Sequence, residues 1–438
     1  MILSRTKSVC PVCLRVVSAS RRAEKDGVYL DKSCPEHGDF STLIWEGNLA
    51  SYTRWNTENR AVDPPRAPRA GEKGCPYDCG LCTAHQRKGC CMLLELTRRC
   101  NLRCPVCFAS AGEQAGEDLS LCEIERQYDF LMAHGGPFNI QLSGGEPTVR
   151  DDLPDIIRLG REKGFSFFQL NTNGLRLASE PGYAQTLRAS GLSTVFLQFD
   201  ALDDRVYETL RGRPLLEEKR RCVENCAAAS LGVVLVPVVA RGINEDQVGP
   251  ILRYALENSP AVRGVHFQPI SYFGRCALER PARPLTIPAL LRLIEQQTDG
   301  LFSAADFAGG GAENPYCSFH AAYRIRPDGT LKALPRRADE GCCCTTSDDS
   351  RTSVAEQWRG EEADTLPDPM SETSSLDAFL AEMHRRRFTV SGMVFQDAWN
   401  LDLERLRRCH ICEVDSRYGM VPFCAYNLTD TKGESLYR

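Results

Sequence analysis

Short apolar runs separated by amphipathic stretches fill the middle of the chain. Six runs of strand length occur at 92–96, 139–142, 166–171, 194–199, 233–239 and 264–269. The intervals carry apolar residues at helical spacing, most plainly over 121–133 and 153–163. This repetition predicts parallel βα units. Six units predict an α/β fold, a partial (β/α)6 TIM-like barrel, with reactive groups at the C-terminal strand ends. Outside this block the pattern breaks. Residues 1–60 hold little more than the alternating run Gly27-Val-Tyr-Leu, too little apolar mass to fold without a staple. Residues 61–73 are rich in proline and read as an extended linker. Past residue 280 the stretches 309–311 and 345–352 read as loops, 376–387 as a helix, and 396–409 as a helix running into a turn. The predicted division is a metal-binding module over 1–60, a linker with a cluster segment over 61–91, the barrel over 92–280 and a C-terminal extension over 281–438.

Composition narrows the chemistry. A chain of 438 residues exceeds one compact core. The net charge of −5 provides no electrostatic footprint for nucleic acid. The longest apolar stretch, 231–240, is strand-length, and the N-terminus lacks a secretory apolar region, so a cytoplasmic location is expected. The 22 cysteines are the outlier. In a reducing compartment, clustered thiols read as metal ligands rather than disulfides. Cys122, Cys222, Cys226 and Cys276 stand outside the groups and read as small apolar residues.

The groups differ in spacing. Cys10 and Cys13, with Cys34-Pro-Glu-His37, suit one mononuclear iron or zinc, completed by His37 or by a cysteine of the next segment. Cys75, Cys79 and Cys82 have the spacing C-x3-C-x2-C, with Cys90 or Cys91 as candidate fourth ligand. Cys100, Cys104 and Cys107 repeat that spacing just after the first barrel run. Three thiolates so placed can hold three irons of a 4Fe–4S cluster and leave the fourth open. Cys317, Cys342, Cys344, Cys409, Cys412 and Cys424 supply ligands for a further cluster over the barrel mouth. Zinc remains the alternative at the first three sets.

With Phe108 after the third cysteine, the central triad resembles the signature of the radical S-adenosylmethionine (SAM) superfamily. In that superfamily the open iron chelates SAM, and an electron cleaves it to a 5′-deoxyadenosyl radical. The resemblance implies further SAM contacts. Gly144, Gly145, Glu146 and Pro147 fall at the amine site. Asn171, Asn173, Gln198 and Asp200 fall near ribose or substrate. Arg241 is a candidate for the carboxylate and Phe267 for adenine. Across its full length the chain resembles the tetraether lipid synthase-like branch, by Cys-Pro-Val-Cys at the start and by Phe395-Gln-Asp-Ala-Trp-Asn with Val421-Pro-Phe-Cys-Ala-Tyr-Asn at the end. This implies three 4Fe–4S clusters, a rubredoxin-like iron, reduced flavodoxin or ferredoxin as electron donor, and a monomer. It also implies carbon–carbon coupling on a lipid-like, hydrophobic substrate, which leaves peripheral membrane contact open. Two rivals remain: a maturase of a peptide or small molecule, and a non-catalytic iron–sulfur electron carrier.

Overall fold

The computed structural model describes residues 1–56, 62–66, 71–80, 82–112, 117–335, 346–360, 383 and 385–438. Cys342, Cys344 and most of the helix expected over 376–387 lie outside the described residues, and Arg387, its last position, opens a strand.

The first element is a small antiparallel sheet of β1 (Ile2–Val9), β2 (Val16–Ala23), β3 (Gly27–Cys34) and β4 (Gly38–Glu46), in that spatial order. Its two tight connections carry Cys10 with Cys13, and Cys34 with His37. The four ligand atoms lie within 4.8 Å of one another, the one such group among the described residues. His37 Nδ1 stands 3.6 Å from Cys10 Sγ and 3.5 Å from Cys34 Sγ. Histidine therefore completes the set, and no cysteine from the next segment is needed. Three thiols and an imidazole at this span fit one tetrahedral ion.

All six apolar runs form strands: β5 (Cys91–Thr97), β6 (Asn139–Gly144), β7 (Phe168–Thr172), β8 (Thr194–Gln198), β9 (Gly232–Val236) and β10 (Val262–Pro269). They pair in sequence order, all parallel. Helices such as Leu121–Ala133 and Leu153–Glu162 cover the outer face. Ile140, Leu142, Leu170, Leu197, Leu235 and Phe267 pack there in the main core. Alternation turns their neighbours inward.

The α/β partial barrel is thus present, and the C-terminal region extends it. Strands β11 (Ser318–Ile325), β12 (Arg387–Met393), β13 (Ile411–Asp415) and β14 (Gly419–Pro422) join the same sheet. Strand β12 pairs parallel to β10, and β13 parallel to β5. Eight parallel strands result, with β11 antiparallel beside β12 and β14 antiparallel beside β13.

Two expectations are corrected. The stretch read as a loop around 345–352 instead enters the helix Ser347–Trp358. Thr346 and Asp349 form a reciprocal capping box that starts it. Val354, Ala355 and Trp358 then pack on Phe167, Phe196, Val234 and Val236. The Arg351 carbonyl accepts from Asn139 Nδ2 (2.9 Å), and Gly360 N donates to the Ser193 carbonyl (3.2 Å), so this helix closes the N-terminal end of the barrel. The 396–409 stretch keeps only one helical turn, Leu403–Leu406. The Asp397 carboxylate accepts from the backbone N–H groups of Tyr272 (2.9 Å), Trp399 (3.0 Å) and Asn400 (3.3 Å), which favours a turn over a helix.

Two outcomes follow. Trp358→Ala removes the largest apolar contact beneath the barrel and is expected to cost about 3–5 kcal/mol, read as a lowered unfolding midpoint of the metal-loaded protein. Cys34→Ser is expected to lose the single ion of the N-terminal sheet while iron bound elsewhere is retained, as measured by elemental analysis.

Candidate active site and metal centres

Inside the barrel lies a cavity of about 770 Å3. The inward residues of successive strands line it with hydrogen-bonding groups: Gln141, Asn171, Gln198, His266, Gln268 and Ser391. Leu93, Val236, Phe319 and Trp358 supply apolar wall between them.

Cys100, Cys104 and Cys107 also line the cavity, in the loop that leaves β5. Leu102 N donates to Cys100 Sγ (3.4 Å). Burial pushes the Cys100 thiol up to about 12. A free thiol there keeps its proton, and metal binding must release it. Three soft donors on one short loop facing a cavity suit a cluster with one iron open to a ligand. Phe108 packs on Phe423 at 5.5 Å and also reaches the cavity.

The Gly-Gly-Glu run holds this loop in place. Gly145 N donates to the Thr97 carbonyl (2.7 Å) and Glu146 N to that of Arg99 (2.9 Å). A Cβ on Gly145 would stand 2.1 Å from the Arg99 oxygen, and Gly144 has φ +120°. Only glycine allows that approach. The buried Glu146 carboxylate accepts at Oε1 from Thr148 N (3.1 Å), Thr148 Oγ1 (2.7 Å) and Thr172 Oγ1 (2.7 Å), and at Oε2 from Asn173 N (2.7 Å). Its Oε2 keeps acceptor capacity toward the cavity. Pro147 starts a buried 3-10 turn and does not line the cavity.

Three other predicted contacts are placed elsewhere. Phe267 faces the helices because its neighbours His266 and Gln268 face inward. Arg241 points to the N-terminal sheet and pairs with Glu46 at 3.3 Å. Asp200 is fully buried in a bidentate pair with Arg211, at 2.7 and 2.8 Å, and accepts from Val238 N (3.0 Å). Arg211 itself lines the cavity and donates to the Val106 carbonyl (3.1 Å) in the cluster loop. Sequence reasoning missed it. Nothing sets it apart among 53 lysines and arginines except its place one helix beyond the end of β8. Lys219, also buried, donates to the Asn173 carbonyl (2.6 Å), and burial brings its ammonium down to about 8.

The remaining thiols fall into two sets. Cys75 hydrogen-bonds Cys79, which lowers the first thiol and raises the second, and burial raises Cys82, with the Cys75 charge adding to it. Cys79 N also donates to the Tyr437 hydroxyl (2.9 Å). Cys91, expected beside this set, instead opens β5 and lines the cavity near Gln141 and Glu413. The second set is Cys317, Cys409 and Cys424. Burial raises each thiol, and Cys317 and Cys409 each add to the rise at Cys424. Arg405 donates to Cys317 Sγ through Nε and Nη2, both at 3.4 Å. Cys317 precedes β11 and Cys409 precedes β13, so this set joins the two ends of the open sheet. Cys412, expected here as a ligand, lies mid-strand in the main core with Met92 and Val414, because alternation turns it away from Ile411, which faces the cavity. Cys222 and Cys226 are core residues as expected, whereas Cys122 is exposed.

Comparison with known proteins agrees with this geometry. Residues 94–255 match the family described as "Radical SAM superfamily", and residues 2–46 the "HMPTM N-terminal zinc ribbon domain". The chain is 34% identical, over 97% of its length and 93% of the relative's, to a 7,8-dihydro-6-hydroxymethylpterin dimethyltransferase of Methanocaldococcus jannaschii. It is also 34% identical to the GTP 3′,8-cyclase of Paenarthrobacter nicotinovorans, over 44% of this chain and 54% of that one. Among solved structures, Streptococcus suis SuiB bound to S-adenosylmethionine aligns over 48% of this chain and 47% of that one, with a TM-score of 0.41 and 17% identity. By the family match and the full-length relative, SAM and a 4Fe–4S cluster are its cofactors, and the N-terminal sheet is a zinc ribbon. With a full-length relative at that identity, and with the cysteine triad and its glycine clamp at the barrel mouth, the chain belongs to the radical SAM superfamily.

Proposed function

We propose that this radical SAM enzyme acts on a small, flat, polar heterocycle of the pterin class, and that it activates a carbon of that ring system by hydrogen abstraction. The row of hydrogen-bonding side chains at mid-depth in the cavity carries the reading. A long alkyl chain passing Gln141, Asn171, Gln198, His266 and Gln268 would offer no partner to the donors and acceptors that the protein itself leaves open among them, at about 1–3 kcal/mol for each such group. A heterocycle offers donors and acceptors at its edge and an apolar face to Leu93, Val236 and Phe196. The relative that spans the full chain is named for a pterin substrate, which supports the same class. The lipid coupling implied by the tetraether resemblance fits this wall less well.

Cys100, Cys104 and Cys107 would hold a 4Fe–4S cluster, which would supply the electron for reductive, radical chemistry with SAM. The protein's own groups do the rest. Glu146 Oε2 and the carbonyls near Gly144 accept from the SAM ammonium, because a cation needs acceptors there. Arg211 takes the place that the sequence suggested for Arg241. Its guanidinium is held by Asp200, by the Val106 carbonyl and by the Gln198 amide beside it, and presents its charge to the SAM carboxylate. Lys219 fixes the Asn173 carbonyl and lies within 3.3 Å of the Gln198 amide, which sets the donors near ribose. The thiol sets at Cys75 and at Cys317 would hold further clusters, which would carry electrons from a donor such as reduced flavodoxin or ferredoxin.

The substrate class is tested by anaerobic incubation with SAM and dithionite. The expectation is that 7,8-dihydro-6-hydroxymethylpterin raises 5′-deoxyadenosine release about tenfold or more, and that a dialkylglycerol lipid does not. The reverse ordering removes the heterocycle reading. Arg211→Lys keeps the charge but loses the planar fork. It is expected to weaken SAM binding about tenfold, some 1.4 kcal/mol, with cluster iron unchanged. Arg241→Ala is expected to leave SAM binding unaltered, as measured by equilibrium dialysis.

A further inference from the structure

One cavity group has no part in holding SAM or metal. His266 sits on β10, two residues deeper in the barrel than Gln268. Its Nδ1 is 2.9 Å from Ser391 Oγ on the paired strand β12. Its ring lies 5.4 Å from that of Phe196 and 5.8 Å from that of Trp358, and these two rings are 4.9 Å apart. All four residues line the cavity. Nε2 makes no hydrogen bond with the described residues and faces the open space.

We propose that His266 is the specificity-determining residue for the heterocycle, with Nε2 hydrogen-bonding a ring nitrogen or carbonyl while Phe196 and Trp358 pack against the ring's face and edge. The inference rests on the heterocycle reading above and adds the residue that recognises it. The Ser391 hydroxyl is both donor and acceptor, so the imidazole can take either tautomer. Nε2 then offers a proton to an acceptor or a lone pair to a donor. Burial brings the ring down to about 4, so it is neutral and selects an uncharged polar edge over an anion. The aromatic pair beneath gives the flat face its stacking partner and leaves a tetrahedral or branched ligand without one. A polar group on an apolar floor discriminates strongly, because a ligand lacking the matching atom leaves it unpaired.

Binding to the reconstituted full-length protein provides the test, with 7,8-dihydro-6-hydroxymethylpterin as first probe and guanosine as second, followed by calorimetry. His266→Phe keeps the ring and removes both nitrogens. It is expected to weaken pterin binding about tenfold or more, with SAM affinity and iron content as in wild type. His266→Gln retains a hydrogen-bonding end and is expected to recover part of the loss. Pterin affinity in His266→Phe equal to wild type overturns the assignment of His266 and leaves the heterocycle reading standing. Failure of wild type to bind either probe overturns the reading and the assignment together. Should His266→Phe not retain its iron, Ser391→Ala carries the test. It removes only the imidazole's anchor and is expected to weaken pterin binding, and an unchanged affinity there overturns the proposal.

Discussion

A buried carboxylate organises the mouth of the barrel. Glu146 is 1% exposed, and its two oxygens receive four hydrogen bonds from three donor residues, Thr148, Thr172 and Asn173. Burying a carboxylate without partners costs several kcal/mol, and donors of this number offset it. The same residue's backbone N–H ties the Arg99 carbonyl at the head of the cysteine loop. One side chain therefore locks the exits of β6 and β7 to each other, and its main chain locks both to the exit of β5. The three thiols, the glycine carbonyls and the Asn173 amide keep a common frame only while that carboxylate is satisfied. The glycines before it serve the same end, since a side chain at Gly145 would push the loop away.

The C-terminal region is part of this frame. Strands β12 and β13 extend the two edges of the six-strand sheet, and the thiols of Cys317, Cys409 and Cys424 lie where those edges approach. A sheet of parallel strands left open would expose unpaired edges. Here each edge is covered by an antiparallel strand. Arg405 against Cys317 supplies positive charge to a set that carries several negative charges once metallated.

The sequence made the six inner strands legible because apolar residues dominate each outward face and the strands recur at regular intervals. Strands β12 and β13 also alternate, with Phe388 and Val390, or Cys412 and Val414, on the core face, but both are short and stand outside the repeated βα units, so nothing near them in the sequence ties them to the barrel. Their place is fixed by neighbours far away in the chain. The helix Ser347–Trp358 was illegible for a related reason. It is rich in serine, aspartate and threonine, and only Val354, Ala355 and Trp358 mark a buried stripe. The capping pair Thr346 and Asp349 was the usable clue. At the site, the cysteine spacing and Gly-Gly-Glu-Pro were readable because short-range geometry dictates them. Arg211 and His266 were not, because their roles come from which strand or helix end lies beside another. Phe267 was misplaced by a single step in alternation, and that step exchanges cavity for core.

Aromatic rings from segments far apart in the sequence close the mouth of the cavity. Phe108 of the cysteine loop meets Phe423, which in turn meets Phe395 at 4.5 Å and Phe273 at 6.0 Å. These rings come from the loop after β5, the segment after β10 and the C-terminal tail, so the apolar lid over the mouth exists only when the tail is docked. At the other end, Trp358 and Phe196 close the floor. A primary carbon radical takes hydrogen from whatever donor is nearest, and ordered substrate must be that donor. A barrel plugged below by one late helix and roofed by a still later segment can form its reaction chamber only after the whole chain has folded. The cysteine loop alone, however well formed, would face water.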